Sequence, residues 1–319
     1  MCAPSVALAS RKEEKMKTET AEVLSEYDGI PLSVLVTEPE TKPKGIIQIS
    51  HGMCENKERY LPLMAFLADH GYASVIHDHR GHGKSVKKKE DLGYFYGGRD
   101  KGIVEDLHQV TCWIKEQFPG KPVYMLGHSM GSLAARVYLK DYDRELEKLI
   151  LTGPPSANPA VDLGLFLTVL QKKLRGGRFR SKTIQVLAFG PYAARFPGEG
   201  SESAWICSDK KVIEDYDQSE YCGFVFTADA FQGLFRLLKD TYSPKGWKKQ
   251  NPRLSVLFLG GEDDPCIGGG RKFVKQLQFL KSVGYQHVTG KMYPGMRHEI
   301  LNEVEKEKVY ANILSYLNK

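Results

Sequence analysis

The chain has 319 residues, 41% of them hydrophobic and 26% charged, which supplies a sizeable core and excludes wholesale disorder. Lys and Arg number 45 against 39 Asp and Glu, a net charge of +6, and so mild an excess argues against a nucleic-acid partner. No run of about 18 apolar residues occurs, so no transmembrane helix is predicted.

Residues 1–17 read as a polar tail. The opening MCAPSVALAS lacks the basic leader and the longer apolar stretch of a secretory signal. The six cysteines are scattered and form no CxxC pair, which reads as free thiols in a reducing cytoplasm. Apolar runs at 21–27 and 31–36 flank Asp28-Gly29 and predict a hairpin. Short apolar runs then recur at 45–49, 72–76, 122–126, 149–152, 254–260 and 287–293. Lacking polar alternation, they suit strands buried on both faces. Helical periodicity lies between and after them, at 103–118, 132–140, 271–281 and 304–317. Strand and helix in alternation predict an α/β fold with a mostly parallel sheet flanked by helices. The pattern breaks over 155–250, which reads as a helical cap inserted between two parts of one core, 18–154 and 251–319.

Gly127-His128-Ser129-Met130-Gly131 matches G-x-S-x-G, and it follows a predicted strand and precedes a predicted helix. A nucleophile on so sharp a turn needs neighbours without side chains, which Gly127 and Gly131 provide. Ser129 needs a base. His298, after the last strand and a Pro294-Gly295 turn, is the predicted one. The orienting acid is sought after the preceding strand, where Glu262, Asp263 and Asp264 stand in a row. Asp263 is the predicted acid, with Asp264, before Pro265, as its rival. An oxyanion needs two backbone donors, predicted as the N–H groups of Met130 and Met53. His51, Gly52 and His128 flank these groups and are predicted to contact substrate.

The strings HGMCENKERY, DHRGHGKS, GHSMGS, GGEDDPC and YPGMRHEILNE occur in this order. Together they resemble the monoacylglycerol lipase and lysophospholipase branch of the α/β-hydrolase superfamily, the serine aminopeptidase S33-type hydrolases. The likeness spans nearly all of the chain after about residue 18 and is weakest in the insertion. It implies an α/β-hydrolase fold with a lid over an acyl tunnel and a triad of Ser129, Asp263 and His298, the acid three residues before Cys266. It implies Met53 and Met130 as oxyanion donors and an ester of a single-chain lipid as substrate. Relatives often carry a small residue where this chain has Met53, so the preferred acyl shape is open to change.

Other readings compete. His77-Asp78-His79-Arg80-Gly81-His82 approaches a dinuclear metal motif, but Gly81 stands where a bridging Asp is required, so no metal is predicted. Serine acyl transfer calls for no cofactor. Cys54 and Cys266 read as small buried residues flanking the site. A proline-releasing aminopeptidase shares the fold and triad, and Glu214, Asp215, Asp217 and Glu220 are its candidate amine site. A small-ester carboxylesterase would use the same triad, and a silent binding module would have no use for it. The apolar run from Leu163, followed by Lys172, Lys173, Arg175, Arg178, Arg180 and Lys182, fits either peripheral contact with an anionic membrane or a lid interior.

Overall fold

The computed structural model describes residues 16–319. The predicted tail lies outside this range except for its last two residues, which begin the first strand. Strands β1 (Met16–Leu24) and β2 (Pro31–Pro39) pair antiparallel, Leu24 opposite Pro31 and Met16 opposite Pro39. The hairpin forms where predicted, but its first strand ends earlier. Residues 25–30 make the connection, closed by Ser25 N–H to Ile30 O and Gly29 N–H to Ser25 O, with Gly29 at φ +72°.

The alternating body follows: β3 (Ile46–Ser50), α1 (Leu61–Asp69), β4 (Ala73–His77), α2 (Arg99–Gln117), β5 (Val123–His128), α3 (Met130–Tyr142) and β6 (Lys148–Thr152). After four further helices come β7 (Ser255–Gly261), α8 (Gly270–Ser282), β8 (His287–Tyr293) and α9 (Lys306–Leu317). The eight strands form one sheet in the order β1-β2-β4-β3-β5-β6-β7-β8, parallel from β4 through β8. Helix α1 has no counterpart among the predicted elements. Its sequence LPLMAFLAD is apolar almost all round, so it carries no amphipathic period to detect.

Neighbouring residues of each central strand face opposite layers. Ile46, Met125 and Leu149 join α2, α3 and α8 in one core, and Ile47, Leu126 and Ile150 join α1 and α9 in the other. Burial on both faces explains the unbroken apolar runs.

The stretch between β6 and β7 holds α4 (Val161–Arg175), α5 (Lys182–Ala193), α6 (Lys210–Gln218) and α7 (Ala228–Thr241). Helix α7 seats Phe231 and Leu237 in the same core as α2 and α3, which anchors the insertion to the body. Helix α4 rests on α7 where Gly164 meets the ring of Phe235.

Candidate active site

Strand β5 runs into Ser129, whose backbone stands at φ 50°, ψ −116° between β5 and α3. This strained turn is enforced by close packing. A Cβ on Gly131 would lie 2.0 Å from Ser50 O, and one on Gly127 would lie 2.7 Å from Gly131 O. The turn lifts Ser129 to a half-buried position at the carboxyl edge of the sheet, where the loops after β3, β7 and β8 converge.

The structure brings Ser129 and His298 together, with Oγ 2.8 Å from His298 Nε2. It corrects the acid. Asp263 is exposed, whereas Asp264 is fully buried and its Oδ2 lies 2.9 Å from His298 Nδ1. The cause is local. Asp264 Oδ1 accepts the Cys266 N–H at 2.7 Å across Pro265, which turns the carboxylate inward and aims its other oxygen at the imidazole. Asp263 gives only its backbone N–H, to Met296 O at 3.0 Å. The acid therefore stands two residues before Cys266 rather than three. With Nδ1–H donated to Asp264, Nε2 is free to accept the Ser129 hydroxyl proton. Burial works to depress the His298 pKa, but the charge of Asp264 outweighs it and holds the pKa well above the usual histidine value.

The backbone N–H groups of Met53 and Met130 find no acceptor among the described residues. Met130 is buried at the start of α3 and Met53 is half-buried. Gly52 packs directly on the nucleophile, since a Cβ there would lie 3.3 Å from Ser129 Cβ. His51 departs from its predicted role as a substrate contact. Its ring is fully buried, Nε2 accepts the His79 N–H at 2.9 Å, and Nδ1 donates to Gly52 O at 2.8 Å. Both nitrogens serve the backbone, and burial lowers its pKa well below the usual value, so the ring is neutral. Because Gly52 C=O and Met53 N–H share one peptide plane, His51 fixes the direction of that N–H. His128 is also buried. Its Nδ1 lies 3.1 Å from Thr152 Oγ1, and burial, then the charge of His298, pushes its pKa down to about 3. It wedges between Gly52 and the His298 ring, 4.9 Å away.

Sequence reasoning missed four residues here. Glu55, Arg59 and Glu299 form a buried chain, with Arg59 2.9 Å from Glu55 and bidentate to Glu299 at 2.6 Å. Their signal was available: Glu55 and Arg59 are four apart just after His51-Gly52, and Glu299 follows His298. Trp205 lies with its ring centroid 5.0 Å from that of His298, and Phe189 and Tyr192 of α5 pack on Trp205. No periodicity announces Trp205.

The histidine-rich string after β4 is held by other partners. Asp78 pairs with Lys57 at 2.6 Å, and Arg80 with Asp106 at 2.7 Å and Asp28 at 2.8 Å. Among the described residues, the cluster of potential metal-ligand side chains is Asp264, Cys266 and His298, of which His298 is already hydrogen-bonded to Asp264 and to Ser129. Cys54 and Cys266 are buried, and burial raises both thiol pKa values, so neither is a thiolate at neutral pH. The described cysteines are free.

The sequence model of the serine aminopeptidase (S33) family matches residues 41–305. The chain belongs to this family. Monoacylglycerol lipase of Mycolicibacterium smegmatis is 26% identical over 292 residues, 91% of this chain and 93% of that protein. Human monoglyceride lipase is 29% identical over 289 residues, 87% of this chain and 82% of that protein. Among solved structures, a thermostable carboxyl esterase from Bacillus coagulans superposes with a TM-score of 0.87 at 25% identity, covering 94% of this chain and 98% of that one. A monoglyceride lipase from Saccharomyces cerevisiae gives 0.70 at 19%, covering 95% and 96%, which speaks to the fold alone. The protein is an α/β-hydrolase of the monoacylglycerol lipase and lysophospholipase-like branch, an ester hydrolase.

Proposed function

We propose that this ester hydrolase cleaves carboxylic esters of single-chain lipids, monoacylglycerols or lysophospholipids, through an acyl-enzyme on Ser129. The observation that carries the reading is the hydrogen-bond chain Ser129–His298–Asp264 beside two backbone donors without an acceptor. Ser129 Oγ attacks the ester carbon as its proton passes to His298 Nε2. Asp264 steadies the imidazolium, and the Met53 and Met130 N–H groups meet the oxyanion. His298 returns the proton to the departing alcohol. Water, activated by the same nitrogen, then releases the fatty acid and restores Ser129.

The names of the Mycolicibacterium and human relatives support a glycerol monoester as substrate. The aromatic wall of Phe189, Tyr192 and Trp205 beside His298 supports an apolar acyl chain. We read residues 155–250 as a cap over the core formed by 18–154 and 251–319. Its outer surface supports peripheral membrane contact. Leu163, Phe166, Leu170 and Leu174 follow one face of α4 and are 41–70% exposed, so this stripe points outward rather than into a lid interior. Lys173, Arg175 and Lys182 beside it are exposed, with no carboxylate partner among the described residues. Lys172 and Arg178 are engaged by Asp229 and Asp91, and Arg180 by backbone carbonyls, so half of the basic cluster is structural. No helix among the described residues is long and apolar enough to cross a membrane. The described cysteines are free, which supports a reducing cytoplasm as the side from which the protein meets the membrane surface.

The aminopeptidase reading loses support at its amine site. Glu214 and Asp215 are exposed and face Lys211, Glu220 faces Lys89, and Asp217 accepts from Ser201, so each of the four acids already has a partner. A fluorophosphonate probe is expected to label Ser129 in the wild type and not in Ser129→Ala. Turnover of a panel of monoacylglycerols, lysophospholipids, short p-nitrophenyl esters and Pro-peptides is expected to favour the lipid esters. Ser129→Ala is expected to lose about 10⁴- to 10⁶-fold in rate. Near-normal turnover in that variant removes the nucleophile, and preference for short esters or Pro-peptides removes the lipid substrate.

A further inference from the structure

We propose that Glu55 is a positioning residue that holds the His51–Gly52 peptide and so keeps Gly52, and with it the next peptide and its Met53 N–H oxyanion donor, in register with Ser129. The proposal rests on the serine-hydrolase reading above. Glu55 is 2% exposed, and its carboxylate is filled by three donors. The Gly52 N–H and the Tyr60 hydroxyl (2.9 Å) both donate to Oε1, and Arg59 Nη1 donates to Oε2 at 2.9 Å. Both peptides that meet at Gly52 are thus gripped: His51 holds the carbonyl of the peptide that bears the Met53 N–H, and Glu55 holds the N–H of the peptide before it. There is no slack, since a Cβ on Gly52 would lie 2.6 Å from Glu55 Oε1.

The grip extends to the general base. Arg59 donates at the same time to Glu55 and to both oxygens of Glu299, and Glu299 is the residue after His298. Glu299 is tied further by Asn302 Nδ2 at 3.0 Å and, through its own N–H, by Ile206 O at 2.7 Å. One guanidinium therefore joins the oxyanion loop to the histidine loop.

Three donors facing one carboxylate fit its ionised form, because a protonated oxygen would turn a hydrogen toward a donor. Arg59 and Tyr60 face Glu55 from its own loop, and Glu299 from the loop after β8. Behind Arg59 stand the Tyr216 ring of α6, 5.0 Å away, and Cys222, while His128 of β5 closes the side toward Ser129. Burial pushes the Glu55 pKa up to about 7, with Arg59 opposing it and Glu299 adding to it. Lowering the pH through neutrality thus protonates the group that secures the oxyanion peptide.

The test is steady-state turnover of a soluble ester across the neutral pH range for wild type, Glu55→Ala and Glu55→Gln, per mole of folded protein. Glu55→Ala is expected to lose about 10²- to 10³-fold in kcat with little change in KM, the signature of a donor that matters where charge develops. Glu55→Gln keeps an oxygen for the Gly52 N–H but cannot ionise. It is expected to stay at the activity of the protonated wild type, several-fold below the wild-type maximum but well above Glu55→Ala, and to lose the part of the acid limb that lies near neutral pH. Wild-type kcat in Glu55→Ala overturns the proposal. So does a Glu55→Gln enzyme that is as slow as Glu55→Ala, or one that keeps the wild-type pH profile. If Glu55→Ala does not fold, the Glu55→Gln profile decides alone. Failure of the fluorophosphonate to label wild-type Ser129 overturns the nucleophile reading instead and is scored separately.

Discussion

The floor of the site and the insertion above it solve opposite problems. On the floor, ionic groups are buried with their partners: Asp264 with His298, Lys57 with Asp78, Arg80 with Asp106, and Arg59 with Glu299. An unpaired charge there would be costly, so each partner also fixes a loop. In the insertion, α4 instead turns Leu163, Phe166, Leu170 and Leu174 toward solvent, and its Lys173 and Arg175 are exposed with no carboxylate partner among the described residues. On the proposed function, the paired floor is where charge would develop in the reaction, and the apolar stripe of α4 is where a lipid surface would meet the protein.

The largest expected break of this contrast is at the acid. Asp264→Asn is expected to lower kcat by about 10⁴-fold, while Asp263→Asn, altering an exposed side chain, stays near wild type. The pH profile sharpens the point. On the proposed mechanism neutral His298 is the base, and Asp264 raises its pKa, so wild-type activity is expected to fall as pH drops through a value above the usual histidine range. Without the carboxylate that limb moves to lower pH. Next comes Gly131→Ala, whose Cβ meets Ser50 O and has no flexible side chain to displace. A loss of about 1–3 kcal/mol or more in stability is expected, read as a lowered Tm.

A smaller and more selective effect is expected in the insertion. The double variant Phe166→Ser and Leu170→Ser removes apolar surface that would enter a bilayer. It should lower activity on monoacylglycerol in anionic vesicles roughly tenfold and leave soluble esters untouched. Equal loss on both substrates would mean that the stripe serves the fold or the cleft rather than the membrane.

The smallest effect concerns stability below neutral pH. Burial lowers the pKa of His77 to about 3 and of His82 to about 4, as it does for His128. The unfolded chain takes up these protons near the usual histidine value and the folded chain does not. Their contribution is therefore complete above about pH 6.5 and is lost as pH falls below it. The Tm should decline over that window, and less steeply in His82→Phe.

Much of the body was legible because burial on both faces leaves a simple trace. The apolar runs at 45–49 and 72–76 became β3 and β4, and the helical period at 103–118 became α2, which begins four residues earlier and ends one residue sooner. Helix α1 escaped because uniform apolarity erases periodicity. The elbow was legible because its glycines, strand and helix are contiguous. The acid was misassigned because Glu262, Asp263 and Asp264 are chemically equivalent in a string. Only the bond from Cys266 N–H across Pro265 decides which carboxylate turns inward.

The sequence by itself determined the alternating α/β order, the serine on its strand-to-helix turn and the late histidine, because each is encoded by neighbours along the chain. The tertiary structure alone decided that Asp264 meets His298, that His51 and Glu55 hold the two peptides on either side of Gly52, and that the leucines of α4 face outward. These are relations between residues distant in sequence, set by which side chains burial compels to find a partner, and no local pattern records that choice.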